Sequence, residues 1–173
     1  MIVILIGYMA SGKSSIGVEL SKKINFDFID LDDFIEEREN AKINTIFKDK
    51  GEIYFRKVEH QLLKEILNTK TNLVLSLGGG TPCYAGNMSL INNRDNVSSF
   101  YLKAKIKTIT ERLYKEKDSR PLVAHIVNEE TLYEFIGKHL FERAPYYEQS
   151  NNSIVIDDLD IEEIVEKIVL QLF

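Results

Sequence analysis

Residues 7–14 read GYMASGKS, and their types and spacing are those of a phosphate-binding loop. In the pattern G-x-x-x-x-G-K-[ST], glycines let the backbone curl until several N–H groups converge on one anion, and the following helix adds its positive end. Lys13 is expected to reach the outer phosphates of a nucleotide, and the Ser14 hydroxyl to ligate a bridging magnesium ion. Apolar residues 2–6 predict the preceding strand, and apolar residues at every fourth position over 16–24 predict the helix. A purely structural glycine turn would leave Lys13 and Ser14 unexplained.

Carboxylates end a second apolar run, in the sequence FIDLDD of residues 28–33. Alternation along an extended chain predicts that Asp30 and Asp32 point to the same side. One could hold magnesium, directly or through water, and the other could accept a hydrogen bond from a substrate hydroxyl and take its proton. Alternatively, Asp32 and Asp33 could cap a helix that begins there. Asp157 also ends an apolar run and is expected to cap the last helix rather than to bind metal.

A run of three glycines, Gly78, Gly79 and Gly80, follows the apolar segment of residues 73–77. Three consecutive glycines lose much conformational entropy on folding, so a site that keeps them usually needs a ligand close to the backbone. We therefore predict ligand contacts to their amides. A structural loop is the alternative.

Three arginines complete the set of candidate residues: Arg56, Arg120 and Arg143. Arg56 lies off the apolar stripe of its predicted helix, with Glu59 three residues on to orient it. A guanidinium group binds carboxylate or phosphate through two parallel hydrogen bonds. Each arginine alone could be a solvated surface charge, but beside a phosphate loop two would suit an anionic acceptor and the third a transferring phosphoryl group.

These residues need a scaffold, and apolar runs that alternate with amphipathic stretches predict one. The pattern is that of an α/β protein with a five-stranded parallel sheet flanked by helices on both faces. Its ligands should bind beyond the carboxyl ends of the strands. Besides the first strand, the predicted strands cover residues 26–30, 72–77, 98–102 and 153–157. We expect one domain over residues 1–173, with residues 114–128 as a mobile lid.

Composition narrows the possible functions. Hydrophobic residues make up 44% and charged residues 28% of the chain, and no window approaches the roughly 18 apolar residues of a membrane span. The formal net charge of -5 argues against a general nucleic-acid surface and favours a small-molecule substrate. Cys83 is the only cysteine, so an intramolecular disulfide is impossible, and with no export signal we expect a cytoplasmic protein.

In their order and spacing, six motifs resemble the shikimate kinases. They are GYMASGKSSIG, FIDLDDFIE, GEIYFRKVE, LSLGGGTP, DSRPL and ERAPYY, and together they span nearly the whole chain. The resemblance implies a small monomeric kinase of the P-loop NTPase, nucleoside-monophosphate-kinase-like fold. It implies ATP-dependent phosphorylation of the 3-hydroxyl of shikimate, in the pathway to chorismate and the aromatic amino acids, with residues 31–60 as the acceptor-binding region.

The resemblance also assigns roles to individual residues. The implied ATP-binding residues are Ala10, Ser11, Gly12, Lys13, Ser14, Ser15, Arg112 and Arg120. The implied shikimate-binding residues are Asp32, Arg56, Gly78, Gly79, Gly80 and Arg143. Catalysis is assigned to Lys13, Asp32 and Arg120, and magnesium binding to Ser14 and, through water, Asp30.

Two features depart from the family pattern. Ala10 stands where the family commonly has glycine, and we expect the extra methyl group to be tolerated because both glycines of the general motif remain. Arg112 resembles the adenine-stacking arginine of the family, although its spacing to Arg120 is one residue longer than usual.

Other functions fit part of the pattern. A related small-molecule kinase, such as a gluconate kinase, would share the loop and the sheet, but FRKVE and the triple glycine favour shikimate. A nucleotide-binding switch is a second alternative, although the guanine-reading Asn-Lys-x-Asp tetrapeptide does not occur. A binding module that has lost activity is a third, and the retention of Lys13, Ser14, Asp32 and Arg120 argues against it.

Overall fold

The computed structural model describes residues 1–116 and 122–173. In these ranges, five parallel strands form one sheet in the order β2-β3-β1-β4-β5. The strands are β1 (Ile2–Ile6), β2 (Asp27–Asp30), β3 (Leu73–Ser76), β4 (Val97–Lys103) and β5 (Asn152–Val155). The predicted fold class is confirmed, and the predicted strand positions agree with the structure to within about two residues at each end.

Helices pack against the sheet and connect its strands. They are α1 (Lys13–Ile24), α2 (Leu31–Glu39), α3 (Ile43–Thr69), α4 (Asn87–Asn92), α5 (Ile106–Glu116), α6 (Glu129–Tyr147) and α7 (Ile161–Leu172), with a 3₁₀ turn at Thr81–Cys83. None of those in the described ranges has a stretch both long and apolar enough to cross a membrane.

The central strand β1 is fully buried, which explains its uninterrupted apolar sequence. Its neighbours β3 and β4 pair with it in parallel register, so Ile4 lies between Leu75 and Ser99. The carboxyl ends of β1, β2 and β3 therefore meet at one edge of the sheet. This edge carries the phosphate loop, the acidic segment after β2 and the triple glycine after β3.

Two local sequence signals explain the course of the chain near this edge. Helix α3 is bent at Gly51, whose φ of 80° and ψ of 169° are non-helical and suit glycine.

Helix α7 begins with a capping box, in which Asp160 and Glu163 satisfy each other's backbone N–H groups. The expectation that Asp157 caps the last helix is therefore wrong. Its carboxylate instead accepts hydrogen bonds from the Lys105 amide (3.0 Å) and the Thr108 hydroxyl (2.5 Å), at the start of α5.

The predicted lid, residues 114–128, is described only in part. Its first residues, 114–116, still belong to α5. In the segment after residue 121, Val123 and Ile126 are buried in the hydrophobic core. The mobility of the lid and the extent of the acceptor-binding region remain predictions.

Candidate active site

A cavity of about 330 Å³ lies at the carboxyl edge of the sheet. It is lined by residues from the phosphate loop, the acidic segment, the triple glycine and α5. They are Met9, Ala10, Gly12, Lys13, Ser14, Ser15, Asp30, Asp32, Ser76, Leu77, Gly78, Gly79, Arg112 and Glu116. The structure thus brings together most of the residues that the sequence singles out, although they come from four separate segments.

The phosphate loop between β1 and α1 depends on two left-handed residues. Gly12 precedes the helix with a φ of 87°, and Ala10 has a φ of 59°. An alanine in this region places Cβ close to its own backbone, at a cost of roughly 1–2 kcal/mol that glycine avoids. The ammonium group of Lys13 donates to the carbonyl oxygens of Gly7 (2.9 Å) and Tyr8 (3.0 Å), which hold it against the loop.

Arg112 reaches the same loop from α5. Its Nη1 donates to the carbonyl oxygen of Ala10 at 3.2 Å. The guanidinium group thereby borders the cavity, together with Glu116 from the same helix. Ser11, in contrast, is fully buried and its hydroxyl makes no hydrogen bond among the described residues, so its side chain belongs to the packing of the loop.

Two oxygen-bearing side chains meet beside the loop. The Ser14 hydroxyl donates to Oδ2 of Asp30 at 2.7 Å. Hydroxyl and carboxylate oxygens are the ligand types that Mg²⁺ prefers. The described residues contain no group of three or more His, Cys, Asp or Glu side chains arranged to hold a metal ion. A magnesium ion here would therefore take most of its ligands from phosphate and water, as is common for this ion.

The acidic segment reaches the cavity in a different way from the one predicted. Helix α2 begins at Leu31, so Asp32 and Asp33 lie in its first turn and not on an extended strand. Asp30, and not Asp32 or Asp33, caps this helix by accepting the Asp32 amide at 3.1 Å. Asp30 and Asp32 still line one cavity. Asp33 is exposed.

Asp32 is the most perturbed acid of the cavity. Burial raises its pKa from 3.8 to about 6, and the negative charges of Asp30 and Glu59 act in the same direction. The positive charges of Lys13 and Arg56 oppose the rise. A carboxylate with a pKa just below neutrality is ionised at pH 7 and still basic enough to accept a proton efficiently.

Arg56 is held beside the cavity by a buried carboxylate. Its Nη1 donates to Oε2 of Glu59 at 2.9 Å, and Glu59 is only 1% exposed. The other oxygen of Glu59 accepts the Thr81 hydroxyl at 2.7 Å. The guanidinium group also lies over the ring of Tyr84, with 4.0 Å between its carbon and the ring centroid. The predicted orientation of Arg56 by Glu59 is therefore present.

The triple glycine allows close packing of the side chains around it. A Cβ built on Gly78 would lie 2.7 Å from Oδ1 of Asp32, and one on Gly80 would lie 2.7 Å from Nη2 of Arg56. A Cβ on Gly79 would lie 3.3 Å from Nη1 of Arg143. The described backbone shows no positive φ at these three glycines. Their role is thus to let three charged side chains approach one loop.

Arg143 comes to this loop from the C-terminal part of α6. Tyr147, one helical turn further on, is buried and donates its hydroxyl to the carbonyl oxygen of Gly79 at 2.5 Å. Burial raises the pKa of Tyr147 well above its usual range, so its hydroxyl remains a donor. Arg143 lies 5.8 Å from the ring of Tyr8, whose hydroxyl is 2.9 Å from Nδ1 of His139. Helix α6 is thereby fastened to both the phosphate loop and the glycine loop.

Sequence reasoning missed several residues that shape the site. The sequence predicts no role for four residues that contact a predicted site residue or its loop. They are Tyr84, Thr81, Tyr147 and Tyr8. The available signal was position, since Thr81 follows the triple glycine directly and Tyr147 closes the ERAPYY motif. Arg120, to which the sequence assigns phosphoryl-transfer chemistry, lies outside the described residues.

Comparisons with known proteins match nearly the whole chain. The family model of shikimate kinase matches residues 9–173. A shikimate kinase from Flavobacterium psychrophilum is 49% identical over 166 residues, which cover 96% of this chain and 95% of the relative. One from Flavobacterium johnsoniae is 47% identical over the same length and the same shares of the two chains.

Solved structures of shikimate kinases also match nearly the whole chain. The crystal structure of shikimate kinase from Bacteroides thetaiotaomicron matches with a TM-score of 0.91 and 33% identity, over 99% of this chain and 98% of that one. Shikimate kinase from Acinetobacter baumannii in complex with shikimate matches with a TM-score of 0.84 and 29% identity, over 99% and 92% of the chains. A gluconokinase from Sinorhizobium meliloti is 16% identical with a TM-score of 0.61, over 98% and 90% of the chains, which shows a shared fold only.

Proposed function

The chain belongs to the shikimate kinase family, whose members phosphorylate a hydroxyl of shikimate with ATP, and we propose that Asp32, Arg56 and Arg143 position the acceptor for this transfer. The observation that carries the proposal is the packing around the triple glycine. One loop lies against a carboxylate and two guanidinium groups. A Cβ on the adjoining glycine would lie 2.7 Å from Asp32 and from Arg56, and 3.3 Å from Arg143. An acceptor with a carboxylate at one end and hydroxyls at the other matches this arrangement of charge.

In the proposed complex, the carboxylate of shikimate binds to Arg56 and Arg143 through charge-assisted hydrogen bonds. Its 3-hydroxyl lies against Asp32, and another hydroxyl meets the backbone of Gly79 and Gly80. Binding energy from the carboxylate end is thereby used to orient the reacting hydroxyl.

Phosphoryl transfer needs alignment of donor and acceptor oxygens and compensation of spreading negative charge. Lys13 and the loop amides would stabilise the charge on the phosphates, and Asp32 would accept the hydroxyl proton as the new bond forms. Arg112 would contact the adenine end of ATP, and Arg120 would approach with the lid. Closure of the lid over both ligands would exclude water, which is a competing acceptor.

We propose that Ser14 and Asp30 hold magnesium, Asp30 through water. The support is the chemistry of the two side chains, which present oxygen donors at the phosphate loop. The ion would neutralise part of the phosphate charge.

We further propose that the enzyme is a cytoplasmic monomer. The support is that the residues proposed to bind the two ligands all belong to one chain, and that the sequence has a single cysteine. Light scattering on the purified protein should give a mass near 19.9 kDa. A dimer at working concentration would contradict this part of the proposal.

A coupled assay of ATP consumption tests the function. We expect stimulation of many-fold by shikimate and little by gluconate or nucleoside monophosphates. Equal rates with gluconate would overturn the acceptor assignment and favour the related kinase. No stimulation by any acceptor, with nucleotide binding intact, would favour a nucleotide switch or an inactive binding module.

Two variants test the residue roles. Arg56→Ala should raise KM for shikimate and leave KM for ATP unchanged, because its guanidinium group lies at the acceptor end of the site. Arg38→Ala is a matched control, since Arg38 pairs with Glu65 on the surface, away from the cavity. An unchanged KM for shikimate in Arg56→Ala would remove Arg56 from acceptor binding.

A further inference from the structure

Glu59 carries a buried negative charge whose two oxygens have different partners. Oε2 accepts from Nη1 of Arg56 at 2.9 Å, and Oε1 accepts from the Thr81 hydroxyl at 2.7 Å. A buried carboxylate is costly unless its charge is paired and its lone pairs are satisfied. The i,i+3 spacing of Arg56 and Glu59 on α3 explains the first contact. The second contact comes from outside the helix and fixes the rotation of the carboxylate group.

Thr81 is itself held from two sides. It is fully buried, and its amide donates to the carbonyl oxygen of Gly78 at 3.1 Å, which closes a turn over the glycine loop. Its carbonyl oxygen accepts from Nδ2 of the buried Asn87 at 2.8 Å. Oδ1 of Asn87 is 2.7 Å from Nδ1 of His60, the residue after Glu59 on α3. Two hydrogen-bonded routes therefore join the turn after the glycines to adjacent positions of one helix.

The guanidinium group at the end of this chain of contacts has unused donor capacity. Nε of Arg56 is buried and makes no hydrogen bond among the described residues, although it forms an ion pair with Oε1 of Glu52 at 3.5 Å. A buried N–H group without a hydrogen bond, next to a cavity, is a candidate for binding an anionic ligand. Nη2 lies 2.7 Å from the position that a Cβ on Gly80 would take. A small rotation of the guanidinium group would therefore change its distance to the glycine backbone and to the ligand together.

We propose that Thr81 is a positioning residue that sets the selectivity of the site for acceptors with a carboxylate. Its hydroxyl holds Glu59, and through Glu59 it keeps Arg56 at a fixed place relative to Gly79 and Gly80. Without this hydroxyl the Glu59 carboxylate loses one of its two partners and can rotate, so the guanidinium group no longer meets the acceptor carboxylate at the right place. This inference rests on the proposed function of Arg56.

The test compares two acceptors, shikimate and the analogue in which its carboxylate is replaced by a hydroxymethyl group. The measured quantity is the ratio of kcat/KM for shikimate to kcat/KM for the analogue. Thr81→Val, which keeps the shape and removes the hydroxyl, should lower this ratio about tenfold, the size of effect carried by one hydrogen bond to a charged group. Thr81→Ser keeps the hydroxyl and should restore the ratio. KM for ATP should stay unchanged in both variants.

A control separates this role from a general structural one. Thr110 is also a buried threonine, but its hydroxyl donates to the carbonyl oxygen of Ile106 within its own helix. Thr110→Val should leave the acceptor ratio unchanged. If Thr81→Val does not fold, Thr81→Ala replaces it, with the same expected loss of selectivity.

The outcomes distinguish the inference from the function on which it rests. If Thr81→Val lowers kcat/KM equally for both acceptors, Thr81 has only a structural role and the inference is overturned. An unchanged ratio in Thr81→Val, together with a reduced ratio in Arg56→Ala, also overturns the inference and leaves the proposed function standing. An unchanged ratio in Arg56→Ala would contradict the proposed function itself.

Discussion

Replacing Asp32 by asparagine should make the protein more stable at neutral pH while removing most of its activity. Burial and the neighbouring charges of Asp30 and Glu59 raise the pKa of Asp32 from 3.8 to about 6. The folded protein therefore holds a proton on this group more tightly than the unfolded chain does. Its free energy of unfolding falls as the pH rises from about 4 to about 6, and the loss persists at higher pH.

The size of this change in stability follows from the pKa shift of Asp32. One pKa unit corresponds to 1.36 kcal/mol, so a rise from 3.8 to about 6 costs the folded state about 3 kcal/mol above pH 6. Asparagine has nearly the same shape and no charge, so Asp32→Asn should recover about 2–3 kcal/mol at pH 7.5 and nothing at pH 3.5. In a chain of this size, each kcal/mol raises Tm by roughly 2–4 °C.

Thermal unfolding at both pH values measures the stability, and the coupled assay measures the activity. We expect a turnover roughly 10²–10⁴-fold below that of the unmodified protein, because the acceptor of the hydroxyl proton is lost. Asp33→Asn is the matched control, since Asp33 is the exposed neighbour in the same helical turn, and it should change neither activity nor Tm appreciably. An Asp32→Asn variant that is less stable at pH 7.5, or that is fully active, would refute the reasoning.

Three further predictions concern the loops around the cavity. Ala10→Gly should raise the free energy of unfolding by about 0.5–1 kcal/mol in urea denaturation, because the φ of 59° is strained for alanine and not for glycine; a less stable variant would contradict this. Gly80→Ala should raise KM for shikimate with little change in Tm, because its Cβ would displace the Arg56 guanidinium from 2.7 Å. Gly137→Ala is the control, because its Cβ would meet only Ile106 at 3.7 Å, and it should leave KM for shikimate unchanged. Equal effects of Gly80→Ala and Gly137→Ala on KM would refute the steric argument. Ser14→Ala should raise the magnesium concentration needed for half-maximal rate, as a metal titration of activity would show, whereas an unchanged requirement would remove Ser14 as a ligand.

Much of the fold was predictable because its determinants are local. The apolar run of β1 followed by the phosphate loop, and the apolar residues of α1, are continuous in the sequence. The positions of the phosphate loop, the acidic segment and the triple glycine at the ends of parallel strands then follow from the topology of such sheets. The orientation of Arg56 by Glu59 was predictable for the same reason, since the two are separated by one helical turn.

The errors concern geometry that no local pattern determines. Whether the chain after β2 is extended or helical decides how Asp32 faces the cavity, and the cap by Asp30 starts the helix at Leu31, one residue before Asp32. The contact between Tyr147 and the carbonyl oxygen of Gly79 joins residues 68 positions apart, and that between Thr81 and Glu59 joins residues 22 apart. Such pairs depend on how α3 and α6 pack against the sheet. The sequence predicts that the three glycines contact a ligand, and the structure adds close side-chain packing around them that the sequence does not contain.

The central claim is that one loop sets the acceptor between a base and two cationic groups. A crystal structure with shikimate and a non-hydrolysable ATP analogue tests it most directly. The account predicts the acceptor carboxylate on Arg56 and Arg143, and the 3-hydroxyl within about 2.6–3.2 Å of the Asp32 carboxylate, facing the terminal phosphate. A shikimate molecule bound in the opposite orientation, with its carboxylate away from both arginines, would contradict it.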